Sequence, residues 1–206
     1  MKALLMAAGK GTRISRYIEG RPKCTVPIGD TTLIEYTIKE LYKRGITEIA
    51  MVLGYQSDVI KEVLKDYDIT YFYNYFYDVT NSIASAWFAK EFITGDMLLM
   101  NADVYLEPDI FDEVLAEQRS PVLFSDGSRK EEADYKFYYE GNELIKYGKE
   151  LQGEDISGEY IGIAKIKAEF INQFIGKLSE LIAEGKHSMW WEDVLYSFVD
   201  ESSIYV

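Results

Sequence analysis

At 206 residues, 48% of them hydrophobic and 15% aromatic, the chain has enough apolar material to close one sizeable core. Its formal charge of −13 at pH 7 argues against a nucleic-acid partner, since phosphate backbones select basic surfaces, and no run reaches the roughly 18 apolar residues that a membrane span needs. A lone cysteine, Cys24, excludes an internal disulfide, and with a single histidine in the chain there is no donor set for zinc; any metal falls to carboxylates, which favours Mg²⁺ or a similar hard cation.

Lys2 to Met6 reads as an apolar first strand that runs straight into the glycines of "AAGKGTR", with too little chain ahead of them for a signal peptide; the expected location is the cytoplasm. Arg21-Pro22-Lys23-Cys24-Thr25-Val26-Pro27 follows, with prolines on both sides that stiffen an extended segment and present Lys23 at a fixed place. Thr32 and Glu35 make a capping box for a helix carrying Ile34, Ile38, Leu41 and Tyr42 on one face, closed by Gly45. Then come a strand at Ile49 to Leu53, a helix from Ser57 to Lys65, a strand at Ile69 to Tyr73, and a helix from Ser82 to Ile93 capped by Asn81. Met97 to Met100 is a buried strand leading into Asn101-Ala102-Asp103. This alternation predicts an α/β domain with a mostly parallel sheet. After Pro121 the pattern changes: Tyr135 to Tyr139 and Glu143 to Tyr147 form a hairpin around Gly141-Asn142, and Tyr160 to Ile166 is a further strand. Two helices finish the chain, the last with Trp191, Val194, Leu195 and Phe198 on one face and Ser188 available as cap. There is no repeat, low-complexity run or linker, so residues 1–206 read as a single domain.

Charge is distributed unevenly. Residues 1 to 25 carry Lys2, Lys10, Arg13, Arg16, Arg21 and Lys23 against one acid, Glu19, so this segment is +5 and the remainder −18. A basic patch on a glycine loop suits a small polyanion. A dinucleotide fingerprint would need a third glycine where Ile14 stands, and a Walker loop would need Ser or Thr where Gly11 follows Lys10. What remains is a nest of backbone N–H groups at Ala8 to Thr12 with Arg13 as a bidentate phosphate grip. Asp103 ends a buried strand, where open α/β sheets keep their ligand crevice, although an aspartate there can also simply cap a turn. No nucleophile motif or paired-carboxylate signature points to covalent catalysis.

"MAAGKGTR", "RPKCTVPI" and "NADVYL", in this order, closely resemble the nucleotidyltransferase family that includes sugar-1-phosphate nucleotidyltransferases and bacterial phosphocholine cytidylyltransferases. The resemblance covers nearly the whole chain. It implies a Rossmann-like three-layer α/β sandwich of the GT-A-like type, with a mixed, mostly parallel sheet and a small added β portion. Residues 1–125 would then be the nucleotide-binding half and 126–206 the acceptor-binding half. By resemblance, Lys23, Arg13 and Asp103 form the catalytic set: Ala7, Ala8, Gly9, Gly11, Thr12 and Arg13 hold the triphosphate with Ala102 beside them, Lys23 contacts the α-phosphate, and Asp103 ligates Mg²⁺. The acceptor is already largely a dianion at pH 7 and needs no general base.

Relatives acting on sugars are usually longer and carry a glycine-threonine-alanine type segment where this chain reads Asp78-Val79-Thr80-Asn81-Ser82. That contrast favours CTP, with Asn81 or Ser82 meeting the base or ribose, or Asn81 serving only as the helix cap. His187 to Asp193 resembles the aromatic and acidic segment that holds the acceptor's ammonium in the phosphocholine enzymes. Trp191 falls on the apolar face and reads as core, whereas Trp190 and Glu192 are candidates for the acceptor, together with Asp134, Lys136 and Glu159. The resemblance implies a phosphocholine-like acceptor; because "EADYK" stands where another hairpin aromatic is expected, the cage is incomplete or differently built, and phosphoethanolamine, an aminoalkylphosphonate or another small phosphorylated alcohol are the alternatives. A sugar-1-phosphate nucleotidyltransferase and a non-catalytic nucleotide-binding module are the competing readings. Relatives carry a second metal-binding aspartate on a strand expected beyond Val206; the resemblance leaves three readings, a C-terminally truncated sequence, an acid such as Glu192 as substitute, or impaired activity.

Overall fold

A computed structural model describes residues 1–11, 20–128, 130 and 135–206. Four strands, β1 (Lys2–Ala7), β4 (Ile49–Leu53), β5 (Ile69–Tyr73) and β6 (Met97–Asn101), lie parallel in the order β5-β4-β1-β6. They are continuous apolar runs because both faces are covered. Along β1, Leu4 and Met6 enter one core while Ala3, Leu5 and Ala7 enter the other. The first core is roofed by α3 (Ser82–Phe88) and α5 (Ala168–Ala183), through Ile83, Ala86, Phe170 and Phe174. The second is roofed by α1 (Leu33–Lys43), α2 (Ser57–Val63) and α4 (Pro108–Ala116), through Ile34, Ile38, Leu41, Ile60, Phe111 and Val114. This is the expected three-layer α/β sandwich.

The sheet continues without a break into an antiparallel half. The nine-residue β10 (Gly158–Ile166) runs antiparallel to β6, to β7 (Val122–Asp126) and to β8 (Lys136–Glu140), which forms a hairpin with β9 (Glu143–Gly148). Its register against β7 shifts between Tyr160 and Ala164, around Gly162 at φ +81°. A two-stranded ribbon, β2 (Pro27–Ile28) with β3 (Thr31–Thr32), stands apart from the main sheet.

Several sequence expectations are revised. The helix after Asn81 ends at Phe88, and the chain then reaches the buried Ile93 through three-residue turns, Lys90 N–H to the Trp87 carbonyl and Phe92 N–H to that of Ala89, which keep apolar residues inward without α-helical bonds. The last helix, α6 (Asp193–Tyr196), is a single turn; Ser188 does not cap it, and Asp193 Oδ2 instead accepts from Trp190 N–H at 2.7 Å. The capping box is half formed, with Thr32 Oγ1 accepting from Glu35 N–H at 3.3 Å while the Glu35 carboxylate accepts from the Thr31 hydroxyl at 2.7 Å. Lys23–Thr25 is a 3₁₀ turn and not an extended segment, because the Thr25 hydroxyl and N–H both fold back onto the Pro22 carbonyl. Helix α4, opened by Pro108 in its first turn, and strand β7 are elements that the hydropathy pattern leaves unmarked.

Candidate active site

β1 and β6 are neighbours, yet the chain leaves β1 towards β4 and β5 on the opposite flank, so the ends of β1 and β6 flank the switch point of the sheet. The two ends are tied together by Ala102 N–H donating to the Met6 carbonyl at 3.0 Å. A cavity of about 630 Å³ opens there, with Ala7, Ala8, Gly9 and Gly11 on one side and Asn101, Ala102 and Asp103 beside them. Gly9 meets nothing within 4 Å of a virtual Cβ, which leaves its backbone open to a phosphate. Gly11 is different: at φ +62° it lies under Lys23, and a Cβ there would fall 2.6 Å from the lysine side chain. Lys23 crosses this gap, and its Nζ donates to Asp103 Oδ2 at 3.3 Å. Thr12, Arg13 and Asp134 lie outside the described residues.

The opposite wall is built on the start of α3. Asn81 Oδ1 caps the helix by accepting from Ser82 N–H at 2.8 Å, as its position predicts. The same residues clasp the segment 187–191. Asn81 donates its N–H to the His187 carbonyl and its side-chain amide to the Ser188 carbonyl, and Ser82 Oγ accepts from Trp191 N–H at 3.0 Å. Trp191 is fully buried, as read from its helical face, but its indole N–H also donates to Asn101 Oδ1 at 2.9 Å. Asn101 stands two residues before Asp103 and packs into the space left by Gly162, where a Cβ would lie 2.8 Å from its amide. Asn101 opens the "NADVYL" motif, but nothing local marks its bond to Trp191; for Gly162 a glycine inside a strand was the one available signal. A third unread residue, the buried Asn74, folds the loop after β5 by donating to Thr80 and Ser85 hydroxyls and accepting from Phe76 N–H.

The clasp brings Trp190 and Glu192 to the cavity, where Glu159, Tyr135 and Tyr160 complete the wall. Lys136 is not part of it: its ammonium donates to the carbonyls of Lys149 and Leu151, which turns it to the outer end of the hairpin. Glu192 is 5% exposed, and burial raises its pKa from 4.5 to about 8; the nearby Asp193 and Asp103 push the same way, while its own backbone amide and the Asn101 side chain oppose. Cys24 also lines the cavity, but burial and Asp103 lift its thiol to about 12, so it is inert as a nucleophile. Among the described residues no three His, Cys, Asp or Glu side chains cluster as a metal cage. Asp103, a half-exposed carboxylate beside the glycine loop, nonetheless fits Mg²⁺, which draws most of its ligands from phosphate oxygens and water.

Residues 3–154 match the MobA-like NTP transferase domain. The CTP:phosphoglutamine cytidylyltransferase of Campylobacter jejuni is 30% identical across the whole of this chain and 85% of its own length. The choline-phosphate cytidylyltransferase of Streptococcus pneumoniae is 24% identical across the whole chain and 88% of its own. Among solved structures, the CTP:phosphocholine cytidylyltransferase from Streptococcus pneumoniae superposes with a TM-score of 0.80 at 21% identity, covering all of this chain and 88% of that one. The inositol-1-phosphate CTP transferase from T. maritima does so at 0.79 and 18%, covering all of this chain and 84% of that one. With the glycine loop, Lys23 and Asp103 gathered at the sheet's switch point, the chain belongs to the MobA-like NTP transferase family and is a nucleotidyltransferase.

Proposed function

We propose that the protein is a cytidylyltransferase that moves CMP from CTP to the phosphate of a small phosphorylated amine or alcohol and releases pyrophosphate. The observation that carries this reading is the pairing of Lys23 with Asp103 across Gly11, at the floor of a cavity whose far wall holds Trp190 and Glu192. The choice of CTP is supported by whole-length relatives that are themselves cytidylyltransferases, on phosphoglutamine and on choline phosphate.

In this reading an acceptor phosphate oxygen attacks the α-phosphorus. A new P–O bond forms, the α–β anhydride bond breaks, and its electron pair leaves with pyrophosphate. The loop from Ala8 to Gly11 cradles the triphosphate with backbone N–H groups, and Arg13 grips the departing end. The Lys23 ammonium, fixed over Gly11, stabilises the charge that builds at the α-phosphoryl group. Asp103 would hold Mg²⁺, which would supply charge neutralisation on the triphosphate. The rest is positioning: Glu192 and the aromatic wall fix the acceptor's far end so that its phosphate faces the α-phosphorus.

Pyrophosphate release with CTP and a phosphorylated amine or alcohol tests the proposal. Lys23→Ala is expected to lower kcat about 10²- to 10³-fold while calorimetric CTP binding stays within a few fold. Unchanged turnover in that variant removes Lys23 from the chemistry.

A further inference from the structure

The acceptor wall contains a mismatch between its aromatic faces and its polar atoms. Tyr135 stacks on Tyr196 at 5.5 Å with 11° between planes, Tyr196 stacks on Tyr147 at 4.4 Å, and Phe137 packs against Tyr160 at 5.4 Å. Trp190 meets Tyr135 edge-on at 5.3 Å and carries the Lys149 ammonium over its ring at 5.1 Å. The rings are thus largely engaged with one another or with a cation already in place. Polar atoms beside them are not: among the described residues nothing hydrogen-bonds Glu192 Oε2, the Tyr160 hydroxyl or the Tyr196 hydroxyl, all three buried. Glu192 and Tyr160 line the cavity; burial raises both phenols, and the charge of Glu192 adds to this at Tyr160 and, after that of Tyr160, at Tyr196.

A quaternary ammonium has no N–H bond to give, so aromatic faces and charge alone hold it. Here the free atoms are a carboxyl oxygen and phenol hydroxyls, which can accept from an N–H donor while the hydroxyls also donate, and a buried polar atom without a partner costs free energy that a fitting ligand recovers. We propose that the acceptor ends in an ammonium that still bears N–H bonds, a primary amine foremost, which donates to Glu192 Oε2 and the Tyr160 hydroxyl. This rests on reading the cavity as a cytidylyltransferase site. The ammonium also supplies the positive partner that an ionised, buried Glu192 requires. The chemical class is a phosphorylated or phosphonylated aminoalkane with one amine at its far end.

The test is a methylation series: phosphoethanolamine, its N-methyl and N,N-dimethyl forms, and phosphocholine, with the phosphate ester of ethylene glycol as a neutral control. Each is titrated calorimetrically into the protein and assayed for transfer with CTP. Affinity and kcat/KM are expected to fall stepwise, by about a hundredfold from the primary to the quaternary amine, because a site built on hydrogen bonds rejects an analogue that lacks the donors. Tyr160→Phe is expected to weaken phosphoethanolamine and leave phosphocholine within about twofold, whereas Glu192→Gln weakens both. Equal or tighter binding of phosphocholine or of the neutral ester, or an equal effect of Tyr160→Phe on every ester, overturns the inference; a buried water on these atoms would give that equality. Ordered binding without transfer overturns the cytidylyltransferase reading and leaves the amine site standing, and transfer without the order does the reverse.

Discussion

Gly11 shows how little room there is at the phosphate end. An alanine there would combine a positive φ with a methyl group inside the Lys23 side chain. Gly11→Ala is expected to cost about 1–3 kcal/mol in backbone strain and to displace Lys23, so that kcat falls with it; a variant with normal kcat would separate the lysine from the glycine beneath it. Glu192 sets a pH dependence whose sign is fixed. Its folded pKa, about 8, lies above the ordinary 4.5, so the folded protein holds the proton more tightly than the unfolded chain. Stability from this group is therefore full below about pH 4.5, declines as pH rises towards 8, and levels off above that, with a span of up to about 4 kcal/mol. Burial raises Asp193 in the same direction. Chemical denaturation at pH 5, 6.5 and 8 is expected to show this decline, and Glu192→Gln is expected to flatten most of it. An equal slope in the variant would place the titration elsewhere. Lys23, Asp103, Trp190 and Glu192 were readable in the sequence because each sits in a motif or beside one. Tyr160 and Asn74 were not, since their roles come from burial that one sequence does not display, and Asn101, though it opens the "NADVYL" motif, bonds Trp191, a partner distant in the chain.

At the scale of elements, the start of α3 does two things at once. Asn81 caps the helix, which local pattern could show, and with Ser82 it holds the segment 187–191, more than a hundred residues away, which local pattern could not. Ser82→Ala removes the acceptor for Trp191 N–H and is expected to cost about 1 kcal/mol of stability and to raise the acceptor KM about fivefold, with Ser82→Thr restoring both. A rise in the CTP KM alone would instead put the Ser82 hydroxyl on the nucleotide. The final helix was misread for a related reason: its apolar face was correctly found, and Trp191, Val194, Leu195 and Phe198 are all buried, but the chain needs only one helical turn to place them. Strand β7 and helix α4 escaped because each is short and mixed with polar residues, so neither reaches a clear period.

In the molecule as a whole, the parallel strands were legible because burial on both faces writes continuous apolar runs, and the helices between them carry clear caps. The antiparallel half was legible only as a hairpin and a strand. Its placement depends on β10 bending at Gly162, and that bend is what sets Asn101, Trp191 and the acceptor wall against the end of β6. In the proposed reading the two substrates would meet where the parallel and antiparallel halves join, the nucleotide on loops after β1 and β6 and the acceptor on β10 and the segment before α6. The most direct test is pyrophosphate release from each of the four nucleoside triphosphates with Mg²⁺, against phosphoethanolamine, phosphocholine, aminoethylphosphonate and glucose 1-phosphate. Release is expected with CTP and a phosphorylated amine, together with a CMP adduct of matching mass. Release only with glucose 1-phosphate, only with another triphosphate, or with no pair at all would contradict this expectation.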